Sequence, residues 1–266
     1  MTTASRTADH RAVRREGDTT IRYTASGPAD GPALVLLHGW GCHRGDFDAL
    51  TLQLPDDVRV LAVDLAEHGE SRSARTVWTM AEFARDVAAV LAAESVGSAV
   101  VAGHSMGGAV AVEVGRLLPE TVSHVVALEA LHYLALFPAQ PAARAEGVLR
   151  AFRDDFPAAV RGLVEGGTPQ GADPALAETY TAKMSGVRQP AGLRSMEGLL
   201  HWDMDEALGE TSQPITVFAI RDLTHQDAVD RYGDRFDIVL VDLGTHHFPV
   251  ESPAATATLL TEILSR

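Results

Sequence analysis

The chain has 266 residues, 46% of them hydrophobic, with a formal net charge of −14 and a single cysteine. Such a length and apolar content fit one α/β domain, with or without an insertion, and exclude a disordered chain. The acidic balance argues against nucleic acid or an anionic membrane surface as partner, and the lone Cys42 excludes an internal disulfide.

Residues 1–20 are polar and charged, without the apolar core of a secretory signal. No apolar run approaches the roughly 20 residues that cross a bilayer. The expectation is a soluble cytoplasmic protein. Residues 1–10 read as a disordered leader. Residues 12–15 and 19–24, on either side of Glu16-Gly17-Asp18, predict a hairpin. After a turn-rich stretch at 27–32, residues 33–37 form an apolar strand that runs into His38-Gly39-Trp40-Gly41. Residues 46–54 predict a short helix, and 58–65 a buried strand that leads into the loop 66–71. Residues 80–94 carry Phe83, Val87, Val90 and Leu91 at helical spacing, with Thr79 as the N-cap. A short β-branched strand over 96–102, a helix over 106–118 and a strand over 122–128 follow, the last ending at Glu129.

This alternation predicts a mostly parallel, doubly wound α/β sheet with ligands at the carboxyl ends of its strands. It stops over residues 131–210, where helical segments at 142–152, 157–165, 175–184 and 193–200 are separated by glycine and proline. That segment reads as a helical lid inserted into a core made of residues 1–130 and 211–266. Alternation resumes with strands at 215–220 and 236–242 around a short helix at 224–232, and a helix over 253–264 closes the chain.

The chemistry centres on Gly103-His104-Ser105-Met106-Gly107 between a strand and a helix. A serine lifted to the tip of such a turn needs a strained backbone and small neighbours two residues away. The turn exposes the hydroxyl and aims the Met106 amide at a developing oxyanion. A serine hydroxyl needs a base, and the base needs an orienting acid. His247 is placed for the base, in the loop past the last strand and before Phe248-Pro249, with His246 read as its neighbour. Asp222, just past the strand 215–220, is the preferred acid, and Glu129 is the alternative. Gly39 lets the early loop approach substrate closely, Trp40 supplies the second oxyanion amide, and His38 is expected to hydrogen-bond backbone. Leu131, Tyr133, Leu134, Leu136, Phe137, Trp202 and Met204 can line an apolar pocket. No H-E-x-x-H, C-x-x-C, G-x-G-x-x-G after a strand or G-K-[ST] is present, so neither metal nor cofactor is expected.

In sequence the chain resembles the α/β-hydrolase fold superfamily, in particular its small esterases, lactone hydrolases and cofactor-free haloperoxidases. The likeness rests on His38-Gly39-Trp40, on Asp64-Leu65 with His68-Gly69-Glu70-Ser71, on Gly103–Gly108 and on His247-Phe248-Pro249 before Glu251 and Pro253. It implies Ser105 as nucleophile, His247 as base and Trp40 and Met106 as oxyanion donors. The usual acid of the family matches Asp222, and that of some relatives matches Glu129. Two positions depart from the pattern: Glu67 and Ala219 stand where glycine is usual. The leading expectation is a serine hydrolase of an ester, lactone or thioester of a small apolar substrate. The alternatives are cofactor-free oxygenation or carbon–carbon bond cleavage by the histidine and its acid, and a ligand receptor on the same scaffold.

Overall fold

The computed structural model describes residues 6–266. The expected hairpin is β1 (Asp9–Arg15) and β2 (Thr19–Ser26), with Gly17 and Asp18 both at positive φ in its turn. Of the expected leader, residues 1–5 lie outside the described residues. The rest is corrected: His10 is already in strand, and Arg6 donates to Ser26 Oγ at 3.1 Å and to the Pro55 carbonyl at 3.0 Å.

The chain continues through β3 (Ala33–Leu37), a 3-10 turn (Arg44–Phe47), α1 (Asp48–Thr51), β4 (Arg59–Val63), α2 (Met80–Ala93), β5 (Ala99–His104), α3 (Met106–Leu117) and β6 (Val122–Leu128). Five helices then interrupt the alternation: α4 (Ala142–Asp154), α5 (Phe156–Gly166), α6 (Pro174–Met184), α7 (Ala191–Leu200) and α8 (Met204–Glu210). It ends with β7 (Ile215–Ile220), a 3-10 turn (Arg221–Leu223), α9 (Gln226–Tyr232), β8 (Asp237–Val241), α10 (Phe248–Glu251) and α11 (Pro253–Leu264). The strands form one eight-stranded sheet in the order β1-β2-β4-β3-β5-β6-β7-β8. All neighbours are parallel except the β1–β2 and β2–β4 pairs.

Strand pleating sends alternate side chains to opposite faces. Val35 and Leu37 of β3 pack with α2 and α3, whereas Leu34 and Leu36 pack with Phe47, Leu50 of α1 and Leu260 of α11. Each such buried side chain contributes roughly 1.5–3 kcal/mol, so two helical layers fix the sheet between them. Thr79 caps α2 as its position predicts, accepting from the Glu82 amide at 3.3 Å. Helix α8 escapes the periodicity because seven residues give it one short apolar face; Asp203 caps it, accepting from the Glu206 amide at 2.9 Å.

The inserted helices are tied to the loops and helices around the sheet at several points. Trp40 Nε1 donates to the Gly192 carbonyl at 2.8 Å, Trp202 Nε1 to buried Glu113 at 2.7 Å, and the His246 amide to the Gly167 carbonyl at 2.8 Å. Arg188 Nε reaches Glu67 at 2.9 Å, and Lys183 pairs with Asp46. Among the described residues no helix is long and apolar enough to cross a membrane.

Candidate active site

Ser105 joins β5 to α3 with φ 52° and ψ −121°, in the left-handed region where a side chain is strained. Its neighbours explain how the strain is held. A Cβ on Gly103 would overlap the Gly107 carbonyl, and one on Gly107 would overlap the Leu37 carbonyl. The glycines two residues to either side thus let the turn close against β3. Met106 opens α3, so its amide has no intrahelical acceptor and stays free beside the hydroxyl.

The second early element is the loop after β3. A Cβ on Gly39 would stand 3.1 Å from Ser105 Cβ and 3.0 Å from His104 Nδ1, so this backbone passes directly over the turn. His38 fixes it as its position suggests: Nε2 accepts from the Leu65 amide at 3.0 Å, and Nδ1 donates to the Gly39 carbonyl at 2.8 Å. Burial lowers the His38 pKa, which keeps this buried ring neutral. The Trp40 side chain is buried, edge-on to Phe152 of α4. Cys42 lies just beyond, and burial, with Asp46 next, pushes its thiol up to about 12, so it is not a competing nucleophile.

Glu67 has φ 60°, which accounts for the glycine usual there. Its carboxylate accepts from the Ser73 amide at 2.7 Å and from Arg188 Nε of the insertion at 2.9 Å.

Ser105, His246 and His247 line one cavity of about 450 Å³. Its other walls come mostly from the insertion, among them Val148, Phe152, Leu163, Met184, Met196 and Leu199, with Arg144 as the one charged residue. Of the seven residues expected to line a pocket, Tyr133 and Leu136 line this cavity; Leu131, Phe137, Trp202 and Met204 are core instead, and Leu134 packs against that core. Glu251 closes the histidine loop by accepting from the Thr245 amide at 2.7 Å and its hydroxyl at 2.6 Å. Burial, then the charge of His104, holds both His246 and His247 well below the ordinary imidazole range, so both are neutral at pH 7. His247 stacks on Tyr180 of α6 at 3.6 Å between ring centroids.

The acids fall out differently from the expectation. Asp222 is exposed in the 3-10 turn after β7, which Thr224 Oγ1 locks by donating to the Ile220 carbonyl at 2.8 Å. That turn leaves its carboxylate exposed, and among the described residues it makes no hydrogen bond to His247. Glu129 is fully buried at φ 50°, accepting from the Ile220 amide and the Tyr133 hydroxyl, each at 2.5 Å. Neither carboxylate touches the His247 ring. Tyr133 and Tyr180 were not singled out for contact with the histidines; the Glu129–Tyr133 spacing of four residues was the available signal. Among the described residues, no group of three or more histidine, cysteine, aspartate or glutamate side chains is placed to hold a metal ion.

A model of the alpha/beta hydrolase family matches residues 34–259. The pimeloyl-[acyl-carrier protein] methyl ester esterase of Methylococcus capsulatus is 30% identical over 195 residues, which cover 70% of this chain and 74% of that protein. A serine hydrolase-like protein of Danio rerio is 36% identical over 116 residues, 43% of this chain and only 36% of the relative. A hydrolase from Pseudomonas aeruginosa PA01, 22% identical, superposes with a TM-score of 0.81 over 97% of this chain and 99% of that one, which is a likeness of fold. With the family match running from β3 into α11, and a relative matched across most of its own length, this chain belongs to the alpha/beta hydrolase family.

Proposed function

We propose that the protein is a serine hydrolase that cleaves an ester, lactone or thioester of a small, largely apolar substrate through an acyl-enzyme on Ser105. The observation that carries this reading is the left-handed Ser105, with the Met106 amide free beside it, opening into a cavity walled mainly by apolar side chains. In this mechanism the Ser105 oxygen attacks the carbonyl carbon while a histidine of the 246–247 pair takes its proton. The Met106 and Trp40 amides hold the oxyanion. The leaving oxygen or sulfur departs with that proton, and the same imidazole then activates water to release the acid. The helices between β6 and β7 act as a lid that excludes bulk water and selects an apolar acyl or alkoxy group. The name of the Methylococcus relative, a methyl ester esterase, supports an oxygen ester first.

A fluorophosphonate probe tests this. It should modify Ser105, and short aryl esters should be hydrolysed by the wild type but not by Ser105→Ala. Folded protein that resists the probe while Ser105→Ala matches wild type on the esters would sink the reading. Burial of Glu129 near the cavity histidines favours, as second reading, carbon–carbon cleavage or cofactor-free oxygenation by an imidazole and its acid. Oxygen uptake with a ring hydroxyketone, unchanged in Ser105→Ala, would decide for the oxygenation branch.

A further inference from the structure

The cavity holds two adjacent histidines, and the protein treats them differently. His247 lies flat on Tyr180, and among the described residues neither of its ring nitrogens has a hydrogen-bond partner; its amide donates to Thr245 Oγ1 at 3.1 Å. His246 is held at three points. Its amide donates to Gly167 of the insertion at 2.8 Å, its carbonyl accepts from His104 Nε2 at 2.8 Å, and its Nδ1 lies 3.3 Å from the Tyr133 hydroxyl. The same hydroxyl reaches Glu129 Oε1 at 2.5 Å.

Proton counting fixes the direction of this chain. The Tyr133 hydroxyl donates to Glu129, which uses its single proton. The Tyr133 oxygen is left as an acceptor, so the proton between it and His246 belongs to Nδ1. Nε2 of His246 then carries the free lone pair, the tautomer that a general base needs. Burial, then Glu129, pushes the Tyr133 pKa up, which keeps its hydroxyl protonated for this task.

We propose that Tyr133 is a positioning residue that relays the Glu129 carboxylate to His246, and that His246, not His247, takes the Ser105 proton. This rests on the serine hydrolase reading above. In the acylation step the Ser105 O–H proton moves to His246 Nε2 as the Oγ–carbon bond forms and the carbonyl electron pair moves onto oxygen. Collapse of that intermediate breaks the bond to the leaving group, which departs with the same proton. The groups that face the His246 ring are His104 from β5, His132 and Tyr133 from the segment after β6, and His247 beside it; Glu129 reaches it only through Tyr133.

Two measurements test it. Nitrogen-15 spectra of the histidine rings in the wild-type protein should find His246 in the Nδ1–H form; an Nε2–H form overturns the proposal whether or not any ester is hydrolysed. Steady-state kinetics on a short aryl ester form the second arm. Tyr133→Phe should lower kcat about 10–100-fold with KM changed less than about twofold. Its acid limb should move to lower pH, because the imidazolium loses its link to the carboxylate. Glu129→Gln should do the same, and the double variant should be no worse than either alone. His246→Ala should cost about 1,000-fold or more, and His247→Ala less than about tenfold. A wild-type acid limb and kcat in folded Tyr133→Phe, or the opposite ranking of the two histidines, overturns it. If the tautomer is as expected but no Ser105-dependent hydrolysis exists, the hydrolase reading falls and the placement of His246 stands.

Discussion

The turn at Ser105 and the hydrogen-bonded chain from Glu129 to His246 are built by different physics. The turn is local: five consecutive residues, two glycines with no room for a Cβ, and one serine forced to φ 52°. The acid arm is long-range. It joins Glu129 just past β6, Ile220 at the end of β7, Tyr133 and the loop after β8, residues far apart in sequence. A motif predicts the first kind of element well. It predicts the second only as a set of candidates, because which carboxylate turns inward depends on how each strand end leaves the sheet.

Substitutions can break or sharpen this contrast, and the largest effects belong to the turn. Ser105→Ala should lower kcat on an aryl ester by about 10,000-fold or more while leaving the fold intact. Gly107→Ala places a Cβ against the Leu37 carbonyl, backbone that cannot move aside. We expect a loss of about 3 kcal/mol or more, read by urea unfolding.

Acid stability comes next. Burial lowers His104 from 6.5 to about 4 and His68 from 6.5 to about 3. Between the lowered and the ordinary value the unfolded chain binds more protons, so stability is complete above pH 6.5 and falls with pH through that window. Each histidine contributes a slope of about 1.4 kcal/mol per pH unit there. Unfolding midpoints at pH 7 and pH 5 measure it; equal midpoints would mean these rings are not buried neutral.

Smaller effects belong to positions outside both elements. Glu67→Gly relieves φ 60° but breaks the pair with half-exposed Arg188, so the two changes offset to within about 1 kcal/mol. Asp222→Asn, on the exposed turn, should leave kcat within about twofold; a loss of 100-fold would return Asp222 to the arm and erase the contrast.

How much was legible follows the same division. Strand β3, strand β6, strand β7 and helix α11 fall where apolar runs and the proline at residue 253 put them, because burial and capping act locally. The turn at Ser105, the close approach of Gly39 to it and the backbone hydrogen bonds of His38 were readable for the same reason. The exposure of Asp222 was not legible, because it is set by the turn at Arg221–Leu223 and no composition signal marks that direction. His246 and His247 are neighbours whose rings diverge, one toward Tyr133 and one onto Tyr180, and both tyrosines arrive from the inserted segment. Their packing follows from the tertiary fold alone.

One measurement bears most directly on Ser105 as nucleophile. The protein is quenched in acid during turnover of an aryl ester, and its peptides are weighed. An acyl group should be found on the peptide that carries Ser105, and on no other, and it should vanish in Ser105→Ala. Continued turnover with no adduct at Ser105, or an adduct on another side chain, would contradict the assignment.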